Sequence, residues 1–324
     1  MKCAVTPKVS IIIPLYNKAP YIKRALDSVL AQTIQNFEVI VVNDGSQDGG
    51  EMIVEKYSDS RIHLINQENR GVSIARNSGV NAARADLVAF LDADDEWLPE
   101  FLEEIIALNI KYPNAGMYFS NSWKIRGEES YCSRPINPED DGLITNYFRE
   151  CALRGHRIDT ITVAVKKSIF LSLNGFNSEF KIYEDYDLWD RIAYNYPIAY
   201  TSKPLAIYHM EVSCTVERIK TSPKKVKLPF IDYLYSNQKE SVCSRDDYAD
   251  IMLYLDSLAF LDADINSRYH RLTAMKNLLK IHSKELFWKK QRALIICLLP
   301  NSIKPTLAMI ERKLKRHMMN LKSN

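Results

Sequence analysis

Four short apolar runs, each ending abruptly in polar residues, constrain this chain more than any other feature. They are Val9–Ile13, Phe37–Val42, Ile62–Ile65 and Leu87–Leu91. Runs of this length, rich in Val and Ile, read as buried strands. Between them apolar residues recur at helical spacing. Ile22, Ala25, Leu26, Val29 and Leu30 follow the first run, and Met52, Ile53 and Tyr57 follow the second. The third stripe is small (Ala75, Gly79, Ala82, Ala83), which permits close packing on a sheet. Strand and helix alternating at short spacing predict an α/β architecture, doubly wound around a mostly parallel sheet. Ala115–Asn121 reads as one more strand, and residues 127–160 as irregular loop.

In such a sheet, ligands gather at the carboxyl ends of the strands. The fourth run enters Asp92-Ala93-Asp94-Asp95-Glu96-Trp97 at that edge. Extended chain alternates its side chains, so Asp92 and Asp94 can face one way and Ala93 the other. Two hard oxygen ligands suit Mg2+ or Mn2+ carrying a diphosphate. Asp95 reads equally as a structural residue ahead of a helix that Pro99 helps to start. The first run leaves through Pro14, Leu15, Tyr16 and Asn17, and the second through Asn43, Asp44, Gly45 and Ser46. Arg76 falls in the first turns of the third helix, where a cation and free N–H groups can meet phosphate. Singly, Tyr16 could lid the core, Asp44 could serve its turn, and Arg76 could be solvated. Their convergence on one edge favours a binding site.

Several chemistries are excluded. No G-x-G-x-x-G follows the first strand and no G-x-x-x-x-G-K-[ST] occurs, so phosphates are not cradled by glycines. The six cysteines (3, 132, 151, 214, 243 and 297) form no C-x-x-C pair and fit reduced thiols. The first apolar run is short and stops at Pro14, as a strand does and a signal peptide does not. No stretch approaches the ~20 apolar residues of a spanning helix.

The motifs resemble those of the family-2 inverting glycosyltransferases, which have the GT-A-like, Rossmann-type fold. Four lie early: Val9–Asn17 (VSIIIPLYN), Val41–Ser46 (VVNDGS), Gly71–Asn77 (GVSIARN) and Phe90–Asp95 (FLDADD). A fifth lies downstream: Gly175-Phe176-Asn177 followed by Tyr183–Trp189 (YEDYDLW). They occur in the family's order across residues 8–215. The resemblance implies a catalytic domain over 1–215, with a nucleotide half at about 8–98 and an acceptor half at about 99–215. It implies that Pro14, Tyr16, Asn17, Asp44, Arg76 and Asp92 meet the donor. Tyr16 would pack on the base and Asp44 accept a hydrogen bond from it. Asp94, with Asp92, would bind Mn2+ or Mg2+, and Asp185 would be the catalytic base. One departure stands out: His209 and Glu211 occupy places where the family often has arginine and histidine. Trp123, Tyr131 and His156 are candidates for the acceptor side.

The remaining third is helical in pattern, as in Ile265, Tyr269, Leu272, Met275 and Leu279. This predicts a C-terminal helical region over 216–324. It is also basic: residues 221–324 hold 19 Lys/Arg against 10 Asp/Glu, which leaves residues 1–220 net acidic in a chain of net charge +3. Residues 284–324 hold 10 Lys/Arg against Glu285 and Glu311. That tail suits an anionic membrane surface or a helix pair packed on protein, and no nucleic-acid module accompanies it. The expected protein transfers a sugar from a nucleotide sugar, a UDP-sugar by first expectation, to a glycan or lipid-linked saccharide in bacterial surface polysaccharide synthesis. It would do so in the cytoplasm or peripherally on the cytoplasmic face of the inner membrane. The alternatives are a non-catalytic nucleotide-sugar-binding or scaffold protein of the same fold, whose mark would be lost carboxylates, and a nucleotidyltransferase, whose Gly-rich basic loop is missing.

Overall fold

The structure is a computed structural model. It describes residues 6–133, 141–144, 147, 150, 158–180 and 184–210, with 274–276, 278–281, 290, 291, 293 and 294 beyond them. By contact the chain divides into two compact units, Met1–Arg218 with Lys227–Val242 and Ile219–Val226 with Cys243–Asn324.

The first unit is built on a sheet whose order is β3-β2-β1-β4-β9-β6-β10-β5, with β7 on β6 and β8 on β10. The strands are β1 (Val9–Leu15), β2 (Phe37–Asp44), β3 (Ile62–Gln67), β4 (Leu87–Phe90), β5 (Glu96–Trp97), β6 (Met117–Arg126), β7 (Glu129–Cys132), β8 (Gly142–Ile144), β9 (Val163–Lys166) and β10 (Ile198–His209). The helices are α1 (Ala19–Leu30), α2 (Gly50–Glu55), α3 (Val72–Ala82), α4 (Phe101–Lys111), α5 (Lys167–Ser172) and α6 (Glu184–Asn195). A 3-10 turn spans Thr160–Thr162.

Strands β1 to β4 are mutually parallel, and β10 runs parallel to β6. The expected parallel sheet is interrupted by β9, which is antiparallel to both β4 and β6. Because two reversals cancel, β6 points the same way as β4, and their carboxyl ends share an edge. Two local expectations shift. β1 runs on through Pro14 to Leu15, and part of the expected 127–160 loop is the β7 hairpin partner of a longer β6.

The core lies between β1/β2 and the helices. Ile11, Ile13, Val39 and Val41 have no exposed surface, and each such side chain stabilises by about 1.5–3 kcal/mol relative to exposure. Helix α3 packs so close that a Cβ on Gly79 would stand 2.5 Å from Ile12 Cγ2. Any larger residue there would push α3, and the motif it carries, off the sheet.

In the second unit the buried residues among those described are Ala274, Leu278, Ile281 and Ala293. Leu279, expected on the inner stripe, is 60% exposed. Ala274 and Leu278, each one position earlier than expected, make the i, i+4 pair that is buried. Most of the basic 284–324 tail lies outside the described residues, and no described helix is long and apolar enough to cross a membrane.

Candidate active site

The strand order reverses direction between β1 and β4, so a crevice opens there at the carboxyl edge. Pro14 helps to open it. The β1–β4 ladder ends at Ile12–Phe90, and Pro14 has no N–H to extend it, although the β1–β2 ladder continues to Leu15–Asn43. Tyr16 follows directly and is 45% exposed. An exposed aromatic ring beside this crevice offers a stacking face.

Asn17 sits at φ +50°, a conformation asparagine tolerates better than most residues. Its N–H donates to Ser46 Oγ at 3.2 Å, and its Oδ1 accepts from Gln47 N–H at 2.9 Å. It thereby ties the exits of β1 and β2 together. Asp44, buried at the end of β2, accepts from Gln67 Nε2 (2.7 Å), Arg70 N–H (2.9 Å) and Gly71 N–H (2.8 Å). It holds the turn that starts α3.

Along 91–97 exposure alternates: Leu91, Ala93, Asp95 and Trp97 are buried, while Asp92, Asp94 and Glu96 are partly open. The extended chain expected here is instead a turn beyond the end of β4, with Asp95 N–H donating to the Asp92 carbonyl at 3.1 Å. Asp95 faces inward and accepts from His209 N–H at 2.8 Å, while His209 Nε2 lies 2.8 Å from Glu96 Oε1. His209 thus serves the wall of the crevice. Asp95 is raised well above the carboxylate range by burial and by its neighbours Asp94 and Asp92.

Two cations meet the carboxylates. Lys18 Nζ is 2.6 Å from Asp94 Oδ2, and Arg24 donates to the Asp94 carbonyl. Burial and Asp92 together push the Asp94 carboxyl up, and Lys18 opposes them. Arg76 is 4% exposed. Its Nη2 donates to Asp92 Oδ1 at 2.7 Å and its Nη1 to Glu184 Oε1 at 3.1 Å. Burial works against its charge, but Asp92 and Glu184 outweigh burial and hold its pKa above the ordinary value. Arg76 therefore bridges two protein carboxylates through its two Nη groups, while its Nε has no partner.

That bridge reaches α6, which carries Asp185. Leu188, Trp189 and Ile192 are fully buried on its inner side. Trp189 packs 5.8 Å from Phe176 and 6.1 Å from Phe90, ring centre to ring centre. Asn77, next to Arg76, binds the Phe176 backbone both ways, Nδ2 to the carbonyl at 2.8 Å and Oδ1 from the N–H at 2.9 Å. Gly175 holds φ +59°, and a Cβ there would meet Phe170 at 2.6 Å and Asn77 Oδ1 at 2.7 Å. Asp185 is half-buried. Its Oδ2 accepts from Thr160 Oγ1 at 2.9 Å and its Oδ1 from Tyr186 N–H at 2.9 Å. Burial, reinforced by Glu184, raises its carboxyl to about 7, against the pull of Arg76 and those two hydrogen bonds. A carboxyl poised there can take a proton near neutral pH.

The crevice suits a divalent cation with substrate oxygens. Among the described residues no three potential ligands gather into a protein-only cage. Asp92 and Asp94 instead supply a partial oxygen set of like charges, beside which an ammonium already stands, and a diphosphate would complete it. Lys18 and Thr160 were not read from sequence as site residues. Lys18 had a signal, a cation directly after the first strand exit, whereas Thr160 had none. Tyr131 is 49% exposed on β7, Trp123 is partly buried on β6, and His156 lies outside the described residues.

Comparison with known proteins shows what the chain is similar to. The family model described as Glycosyl transferase family 2 matches residues 10–167. An uncharacterized glycosyltransferase of Rickettsia felis is 29% identical over 245 residues, 74% of this chain and 40% of that protein. The putative glycosyltransferase EpsH of Bacillus subtilis is 43% identical over 103 residues, 31% of this chain and 30% of that protein. The chain thus spans well under two thirds of both relatives. The crystal structure of S. aureus TarS 1-349 in complex with UDP-GlcNAc shares the fold, with a TM-score of 0.56 and 19% identity over 90% of this chain and 79% of that one.

Proposed function

We propose that this chain, whose residues 10–167 match the family model described as Glycosyl transferase family 2, moves a sugar from a nucleoside-diphosphate sugar to a saccharide hydroxyl with inversion. The observation that carries the reading is the Arg76 bridge, which joins Asp92 at the crevice to Glu184 beside Asp185. It supports a leaving-group site at Asp92 that lies close to a base at Asp185.

In this reading the donor's base stacks on Tyr16, with Asp44 and Asn17 shaping the floor of its pocket and Pro14 keeping the crevice open. Asp94 and Asp92 would hold Mg2+ or Mn2+, which when bound supplies positive charge to the departing diphosphate. Asp185 accepts the proton of the acceptor hydroxyl. The acceptor oxygen bonds to the anomeric carbon as the bond to the diphosphate oxygen breaks, and the electron pair leaves with the diphosphate. A single displacement inverts the anomeric centre and needs no covalent nucleophile. UDP-GlcNAc, the ligand of the TarS complex, is the first donor to try. The acceptor is a glycan or lipid-linked saccharide of a bacterial surface polymer, reached from the cytoplasmic side of the membrane, and the basic residues 284–324 support contact with an anionic surface.

A panel of nucleotide sugars, scored by nucleoside diphosphate release and by the anomeric configuration of any product, tests the proposal. Release from at least one donor, with an inverted product, is expected. No release across the panel, or a retained configuration, would contradict it.

A further inference from the structure

We propose that Thr160 is a positioning residue for the base: its hydroxyl fixes the carboxylate of Asp185 in the orientation that receives the acceptor proton. The inference rests on the reading of Asp185 as base. Thr160 is 6% exposed as a residue, so its hydroxyl has little access to water as an alternative partner. It donates to Asp185 Oδ2 at 2.9 Å, while the N–H of Tyr186 takes Oδ1 at 2.9 Å. One donor on each oxygen sets the plane of the carboxylate. Hydrogen bonds of this kind, to a charged acceptor, are the stronger sort.

The hydroxyl can hold the base only if it is itself held, and the 3-10 turn of Thr160–Thr162 is pinned on several sides. Next to Thr160, Asp159 accepts from Ser122 Oγ at 2.8 Å and from Lys124 Nζ at 3.0 Å, both on β6. The Asp159 carbonyl accepts from Thr162 Oγ1 at 2.7 Å. Trp97 Nε1 donates to the Ile161 carbonyl at 2.7 Å. Trp97 is three residues past Asp94, so the turn that aims the base is fastened to the strand that follows the paired carboxylates. The base and the leaving-group site are thereby kept in register by a short series of hydrogen bonds.

The charged groups facing Asp185 are Glu184 on its own helix and Arg76 from α3; Thr160 and the Tyr186 N–H are neutral donors. Removing the hydroxyl takes away a bond that favours the ionised form and leaves those charges in place. A purely structural threonine would alter melting alone.

The test is carboxyl-carbon NMR titration of the full chain labelled at aspartate, with Asp185→Asn used to assign the Asp185 signal. It is run on wild type, Thr160→Val and Thr160→Ser, alongside turnover of whichever donor the panel identifies. Expected for Thr160→Val are a titration midpoint of Asp185 moved upward and kcat lowered about tenfold, with KM for the donor little changed. Thr160→Ser should restore both. A Thr160→Val midpoint at the wild-type value with kcat within about twofold overturns the role, as does a Thr160→Ser as impaired as Thr160→Val. If Thr160→Val does not fold, Thr160→Ala carries the same comparison. Undiminished turnover by Asp185→Asn would instead sink the base assignment, so the two failures are distinguishable.

Discussion

The ammonium of Lys18 stands 2.6 Å from Asp94 Oδ2, with both side chains largely buried at 16% and 14% exposure. A cation from the start of α1 thus rests where a divalent ion would need Asp94. Lys18→Met should tighten Mn2+ binding to the nucleotide-free protein by about three- to tenfold, measured by electron paramagnetic resonance of free Mn2+. Unchanged affinity would mean that the ammonium does not compete.

The pH dependence follows from Asp185. Its carboxyl is raised to about 7 by burial and Glu184, and a base must be ionised to work. Transfer should rise with pH up to about 7 and level off above it. Stability should move the other way. Between the ordinary aspartate value of about 4 and about 7, the folded protein keeps a proton that the unfolded chain has lost, so stability falls as pH rises through that window. Thermal melts of wild type and Asp185→Asn at pH 5 and pH 8 check this, because the mutant should lose that part of the slope.

Arg76 shows where a sequence stops being readable. Its neighbourhood of small helical residues and its place after the third strand are visible along the chain. Its partner Glu184 is 108 residues away, and only the packing of α6 against Phe90 and Phe176 brings them together. The strands β1, β2 and β4 were legible because buried runs end where water begins, whereas the turn that carries Asp92 and Asp94 past the end of β4 was not. β9 was not, because Val163–Lys166 is a four-residue strand with no turn signal of its own. The same limit hides Thr160, whose role exists only in the folded chain.

Arg76→Met should therefore do more than lower donor affinity. Asp92 and Glu184 would lose a buried counter-charge, a loss of order 3 kcal/mol in urea unfolding. Arg76 also lowers the Asp185 carboxyl, so the acid limb of the activity profile should move to higher pH. A mutant that only binds donor more weakly would argue that the bridge is incidental.

Asp44 combines two roles in this account. Asp44→Ala would leave Gln67 Nε2 and the N–H groups of Arg70 and Gly71 without their acceptor, at about 2–3 kcal/mol. Chemical denaturation should show that loss without any ligand, together with weaker binding of the nucleoside diphosphate.

Asp185→Asn tests the central claim most directly. It keeps the shape of the side chain and removes its capacity to take a proton. Transfer should fall by about 10²–10⁴-fold, the contribution of a general base, while calorimetric binding of the nucleoside diphosphate with Mn2+ stays near wild type. Transfer within a few-fold of wild type would contradict the account.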